Sequence, residues 1–182
     1  MNIGKMLRAK RRAKDESASE RTVLIVGNPN VGKSLLFHRL TGRYVTVSNY
    51  PGTTVEISKG VMRHRGQTYR IIDTPGMYSL NPITDEERVA RNMLLKSKDA
   101  LVLHIVDAKC LDRMLPLTGE LIEANLPIVL IVNMVDELEK RNQRIDQAAL
   151  QSRLRIPVIC AACLQNRGVS EIRQEIHGFF NR

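Results

Sequence analysis

The sequence predicts an α/β fold: a six-stranded, mainly parallel sheet with one antiparallel edge strand and helices on both faces. Three observations predict it. From Arg21 onward, apolar β-branched runs ("TVLIVG", "ALVLHIVDA", "PIVLIVNMVD") alternate with segments of helical period. In "VMRHRGQTYRIID", Gly66 separates two strand-like runs, which should pair as a hairpin and supply the antiparallel strand. With 182 residues, 43% hydrophobic and 26% charged, the chain is long enough for one well-cored domain and too short for two ordinary ones.

Each element follows in chain order. The run closing at Gly27 predicts a first strand near 22–27, and the amphipathic stretch after its glycine-rich loop a helix near 33–41. The Gly- and Pro-containing stretch 43–55 reads as a loop leading into strands near 56–63 and 68–73. A helix near 86–96 precedes a strand near 100–106, and a helix near 113–125 precedes one near 128–133. A helix near 146–154, a strand near 157–160 and a helix near 169–180 complete the domain, 21–182. There is no internal repeat.

The net charge of +9 allows nucleic acid, an anionic membrane face, or a phosphate-binding protein with a basic tail. Much of it sits in Lys5, Arg8, Lys10, Arg11, Arg12 and Lys14, within an arm spanning 1–20. Read as a helix, this arm partly separates Ile3, Met6 and Leu7 from the basic cluster, as a membrane-surface anchor would; read by composition, it is a solvated, disordered segment. No apolar run approaches the roughly 20 residues needed to cross a bilayer, and the N-terminus lacks the apolar core of a secretory signal. A cytosolic chain is expected. Cys110, Cys160 and Cys163 make an odd count with no second pair for zinc, so they read as structural. His38, His64, His104 and His177 share no ligand spacing, and no iron site is assigned to them.

The strongest signal is "TVLIVGNPNVGKSLLFHRLTG", a strand, a phosphate loop from Gly27 to Ser34, and a helix. Its glycines allow a path whose amides point at phosphate oxygens, and the helix N-terminus adds partial positive charge. Lys33 should bridge the outer phosphates and Ser34 ligate magnesium. "NMVD" then selects guanine. Asp136 can accept from the two donors of its edge, whereas adenine would leave that carboxylate unpaired at about 1–3 kcal/mol; Asn133 can hold the loop and the base's N7. In "DTPGMYSL", Asp73 should hold magnesium through water and the Gly76 amide contact the γ-phosphate. Thr53 and Thr54 are both candidates for the threonine that reaches magnesium and γ-phosphate from a loop ordered by nucleotide state. Met77 stands where signalling GTPases keep a water-orienting glutamine, and it offers no useful hydrogen bond.

With these motifs in order, the chain resembles the TRAFAC class of GTPases and, within it, the cytosolic G domain of the bacterial ferrous iron transport protein B (FeoB) family. The resemblance runs from Thr22 to Phe180 and rests on "GNPNVGKSLLFHRLTG", "VSNYPGTTVEISKG", "DTPGMYSL" and "NMVDELEKRNQRID", with Met134 where most GTPases have Lys, and on "LRIPVICAAC" followed by "RGVSEI". It implies a P-loop GTPase (Ras-like) fold and slow GTP hydrolysis. It implies nucleotide contacts from Gly27, Asn28, Pro29, Asn30, Val31, Gly32, Lys33, Ser34 and Leu35; from Gly52, Thr53, Thr54, Val55 and Glu56; from Asp73, Thr74, Pro75 and Gly76; from Asn133, Met134 and Asp136; and from Ala162 and Cys163. Thr54 takes the switch position, so the magnesium set is Ser34, Thr54 and Asp73, and the catalytic set Lys33, Asn30, Thr54 and Gly76. GTPases of this kind lack the glutamine and several use potassium, held partly by the asparagine that corresponds to Asn30. FeoB continues into a helical and a polytopic membrane domain, which implies a transporter partner in the same or another chain, homo-oligomers through it, and a place at the cytoplasmic face of the bacterial inner membrane. A ribosome- or RNA-associated GTPase of the same class is the alternative, which the +9 charge would suit; such proteins usually append an RNA-binding domain, the stretch after Gly168 reads as no more than a terminal helix, and no nucleic-acid partner is expected. A third reading is a module that binds nucleotide and hydrolyses negligibly. The last motif lacks the common Ser-Ala pair, leaving backbone amides to serve.

Overall fold

The computed structural model describes residues 21–42, 45–97 and 99–182. The basic arm therefore lies outside the described residues, as do Arg43 and Tyr44 of the 43–55 stretch. The elements run β1 (Thr22–Val26), α1 (Lys33–Thr41), β2 (Val45–Asn49), β3 (Glu56–His64), β4 (Gln67–Asp73), α2 (Asp85–Lys96), β5 (Leu101–Asp107), α3 (Leu111–Glu123), β6 (Ile128–Asn133), α4 (Val135–Glu139), α5 (Gln147–Leu154), β7 (Val158–Cys160) and α6 (Val169–Phe179). Short 3-10 turns occupy Ala108–Cys110 and Cys163–Gln165.

One sheet carries the strands in the order β2-β3-β4-β1-β5-β6-β7. β4, β1, β5, β6 and β7 are parallel, while β3 runs antiparallel to both β2 and β4. The α/β class and the parallel core are thus as the sequence predicts, but the sheet has seven strands, not six, and the hairpin strand β3 lies one place in from the edge. The added edge is β2, within the stretch read as a loop. Its side chains are half-buried or exposed, so it forms no apolar run; the backbone ladder to β3, from Val45 opposite Gly60 to Asn49 opposite Glu56, holds it. The hairpin itself turns at Arg65 and Gly66, with φ of 47° and 77°, and pairs His64 with Gln67.

Because side chains alternate along a strand, the central strands feed two apolar layers. Val23 and Ile25 of β1 pack with Leu36, Phe37 and Leu40 of α1 and Ile172 and Ile176 of α6 on one face. Leu24 and Val26 pack with Val89, Ala90 and Leu94 of α2 and Leu117 and Leu121 of α3 on the other. Burial on both faces is why these strands read as unbroken apolar runs. α2 begins at Thr84, whose hydroxyl accepts from the Glu87 amide while Glu87 reaches back to the Thr84 amide. α3 begins at Leu111, two residues before the predicted start, and the five-residue α4 is too short to leave a periodic signal. Among the described residues, no helix is long and apolar enough to cross a membrane.

β1 sits between β4 and β5, and the chain leaves it first toward one edge and then toward the other. The loops at the carboxyl ends of β1, β4 and β6 therefore open on one crevice at the switch point of the sheet.

Candidate functional site

The loop after β1 turns back on itself through Asn30, at φ 64°, and Gly32, at φ 97°. A Cβ on Gly32 would stand 2.5 Å from the Asn133 side-chain nitrogen, so glycine is required there by space as well as by angle. Asn133 closes β6, and its side chain is spent on two backbones: Nδ2 donates to Val31 O at 2.9 Å, and Oδ1 accepts from the Cys163 amide at 3.0 Å. One buried amide thus locks the phosphate loop to the loop after β7. Ala162 and Cys163 are buried there, and burial pushes the Cys163 thiol up to about 11, leaving it protonated and in effect apolar.

Lys33 is buried, with Nζ donating to Asn28 O at 2.8 Å. Burial pulls its pKa below the ordinary lysine value, and the Asp73 carboxylate opposes that shift. Ser34 Oγ donates to Asp73 Oδ2 at 2.8 Å across 39 residues of sequence. Burial raises the Asp73 pKa, against the Ser34 hydrogen bond and the charges of Lys33 and His38. Among the described residues, two buried oxygens here lack any partner, Asp73 Oδ1 and Asn28 Oδ1. A desolvated ammonium beside an unpartnered carboxylate oxygen fits a ligand that brings an anion to Lys33 and a cation to Ser34 and Asp73. Asn30 is exposed on the same loop, where its side-chain oxygen could face a second cation. Leu35 is half-buried against the core at the first turn of α1.

Past β4, Thr74 is buried and its hydroxyl donates to Ile25 O at 2.9 Å, while Pro75 is half-buried. Gly76 abuts the phosphate loop so closely that a Cβ would lie 2.7 Å from Pro29 Cγ. Met77 donates its amide to Gly27 O at 3.2 Å, and its side chain is fully buried among Leu24, Val26, Ile57 and Val89. The residue at the glutamine position is therefore a core residue whose side chain points away from solvent. Tyr78, next to it, is 62% exposed.

The structure does not bring every expected residue together. Gly52, Thr53 and Thr54 are exposed and Val55 is half-buried in the turn between β2 and β3, whose backbone bonds are internal, and the exposed Glu56 opens β3. Tyr50 N donates to Val55 O at 2.8 Å, and Thr53 donates to Tyr50 O through both its amide and its hydroxyl. Among the described residues Ser34 and Asp73 are joined directly and Thr54 joins neither. Met134 precedes α4 in the left-handed region, at φ 63°, which turns the chain so that Asp136 falls in the first turn of that helix.

Three residues the sequence reading missed serve this site. Gln165 Nε2 donates to Asp136 Oδ2 at 3.1 Å, satisfying the carboxylate read as base-selective. Arg39 of α1 donates to Cys163 O at 3.2 Å and Leu164 O at 2.9 Å, holding the loop that lacks the Ser-Ala pair. Glu120 of α3 accepts from Ser79 and Leu80, just past the Asp73 to Gly76 motif. Away from the site, His64 and His177 meet edge to face at 5.6 Å, with Tyr69 Oη 2.6 Å from His177 Nδ1, a contact that their spacing concealed.

A family model described as ferrous iron transport protein B matches residues 21–176. The chain is 41% identical over 151 residues to the Fe(2+) transport protein A/Fe(2+) transporter FeoB fusion protein of Porphyromonas gingivalis, covering 82% of this chain and 18% of that protein. It spans 18% to 23% of the length of the curated relatives it matches. Among solved structures, the G domain of the T. maritima FeoB iron transporter aligns with a TM-score of 0.81 at 36% identity, over 88% of this chain and 99% of that one. The cytosolic domain of the same transporter in a GDP form aligns with a TM-score of 0.83 at 35% identity, over 89% and 64%.

Proposed function

The chain belongs to the ferrous iron transport protein B family, and from that premise we propose that residues 21–182 bind and hydrolyse GTP and couple nucleotide state to ferrous iron uptake. The pore lies in a transporter part of the same or another chain, which places this domain at the cytoplasmic face of the membrane and makes its oligomeric state that of the transporter. The observation that carries this reading is the meeting of Ser34 and Asp73 beside the buried Lys33, with an Asp73 oxygen left unpartnered.

In this reading the phosphate-loop backbone cradles the phosphates of GTP, and Lys33 exchanges its bond to Asn28 O for the β- and γ-phosphate oxygens. Ser34, Asp73 through water, and Thr54 once its turn moves in would hold magnesium, and Asn30 would hold potassium. Such cations would supply charge neutralisation for the phosphates. Gly76 offers its amide to the γ-phosphate. Met77 cannot orient water, so the backbone around it does, held by the Gly27 contact and by burial. Asp136 exchanges Gln165 for the donors of guanine, while Asn133, Met134, Ala162 and Cys163 frame the base.

Phosphate release from GTP and from ATP, with magnesium in potassium and in sodium buffers, tests the proposal. GTP should be turned over at least about tenfold faster than ATP, given one carboxylate hydrogen-bonded to the base. Equal turnover of the two nucleotides overturns the guanine assignment. Equal rates in potassium and sodium, with Asn30→Ala indifferent to both, overturn the potassium assignment.

A further inference from the structure

Between Gly76 and α2 the chain runs through Tyr78 to Thr84 as loop, and two carboxylates from two helices accept hydrogen bonds from four of its amides. Glu87, in the first turn of α2, accepts from the amides of Tyr78 at 3.3 Å, Ile83 at 2.9 Å and Thr84 at 3.1 Å. It is a local anchor, on the helix into which the loop leads. Glu120 is not local. It stands near the carboxyl end of α3, 40 residues from Leu80, and accepts from the Leu80 amide at 2.5 Å and from Ser79 Oγ at 3.1 Å with both of its oxygens. α3 packs on the same core face through Leu117 and Leu121, so the carboxylate is carried on a fixed element.

We infer that Glu120 is a positioning residue: by binding Ser79 and Leu80 it fixes the backbone of Met77 and Tyr78 against the phosphate loop, so that this backbone can do what the missing glutamine does elsewhere. The inference rests on the GTPase reading above. Upstream, the stretch is pinned where the Met77 side chain is buried and its amide meets Gly27 O. Tyr78 then turns out to solvent, and no burial holds the chain there. Downstream, Ser79 and Leu80 return to the protein at Glu120. Glu87 holds the far end near Ile83 and Thr84 and reaches Tyr78 with a single longer bond. Removing Glu120 therefore frees the segment beside the reacting phosphate and leaves the phosphate loop, the base loop and the α2 cap in place.

The test compares Glu120→Ala and Glu120→Gln in the full chain. Amide hydrogen exchange is read in the GDP-bound protein, with kcat, GDP affinity and thermal midpoint alongside. In Glu120→Ala, exchange at Leu80 should speed up by about tenfold or more while Ile83 and Thr84 keep their protection. kcat should fall about tenfold with GDP affinity within about twofold of the parent. Glu120→Gln keeps an accepting oxygen and should recover to within about threefold of the parent kcat. Unchanged Leu80 exchange overturns the inference, and so does faster exchange with unchanged kcat. A fall in kcat matched by equal losses of GDP affinity and thermal midpoint marks Glu120 as merely structural and overturns it too. A parent protein that binds GDP but turns over no GTP overturns the GTPase reading and this role with it. Parent turnover with an indifferent Glu120→Ala overturns this role alone.

Discussion

In the phosphate and base loops, side chains that cross the molecule hold the backbone: Asn133 reaches Val31 over 102 residues and Arg39 reaches Cys163 over 124. In the turn from Tyr50 to Val55 the backbone groups bond within five residues, and one exposed side-chain bond, Lys96 Nζ to Tyr50 Oη at 3.5 Å, reaches it from α2. Long-range ties cannot shift without disturbing the packed layers beneath them, whereas a turn whose backbone bonds are internal, with one long and exposed bond to α2, can swing and keep those internal bonds. The first region is built before nucleotide arrives. The second is free to be ordered by it.

The largest effect should come from the preformed region. On the proposed reading Lys33→Ala removes charge-assisted bonds to the outer phosphates, each worth about 1.5–3 kcal/mol, and should weaken GDP and GTP binding by about 100-fold or more, measured by calorimetry. A loss below about tenfold would break the comparison, since the ammonium would not then be the anion's main partner. Asn133→Ala comes next. It strands Val31 O and the Cys163 amide in a buried site, at about 2–4 kcal/mol of unfolding free energy in urea titration. Thr53→Val, which removes hydroxyl bonds from the exposed turn, should cost under about 1 kcal/mol. Similar costs for the two would show that the turn is held as firmly as the loops.

Acid tests the scaffold under both regions. His104, fully buried in β5, meets Thr118 Oγ1 at 3.1 Å through Nδ1, and its Nε2 has no partner among the described residues. Burial lowers its pKa from 6.5 to about 3. The folded protein therefore keeps it neutral while the unfolded chain binds a proton near pH 6.5, so its stability contribution is complete above that pH and is lost as pH falls toward 3. Between pH 7 and pH 5 the loss should be about 2 kcal/mol in chemical denaturation, and His104→Leu should flatten that part of the profile. The loss is global, so the greater hydrogen exchange of the turn over the two loops should persist at pH 5.

The preformed region is also the legible one. Lys33, Ser34, Asp73, Asn133 and Asp136 can be read from sequence because each follows or closes an apolar strand run, and parallel strands bring their carboxyl ends to one edge. Arg39, Glu120 and Gln165 cannot. They occupy helix and turn positions where such residues are ordinary, and Arg39, like Glu120 at Leu80, acts on backbone groups, which leave no mark of residue type on the partner. The edge strand β2 escapes for a related reason: pairing rather than burial defines it, and pairing with β3 is invisible in the composition of either strand. Met77 is half legible. The sequence shows that it lacks a hydrogen-bonding side chain, and only the packing shows that the position belongs to the core.

Thr54 separates the two regions most sharply. Thr54 is exposed and joins neither Ser34 nor Asp73, so Thr54→Ala removes nothing from the preformed site. GDP affinity should stay within about twofold of the parent, because GDP lacks the γ-phosphate that the turn must reach. With GTP the turn has a reason to close, and loss of the hydroxyl should lower kcat about tenfold, or about 1.4 kcal/mol of transition-state stabilisation. Thr54→Ser keeps the hydroxyl and should restore most of that rate. If Thr54→Ala weakens GDP as much as GTP, the turn contacts nucleotide in both states and the contrast between the regions fails. If it slows GTP alone, the turn from Tyr50 to Val55 reads the γ-phosphate, and the cost of ordering it belongs to the hydrolytic step, not to binding.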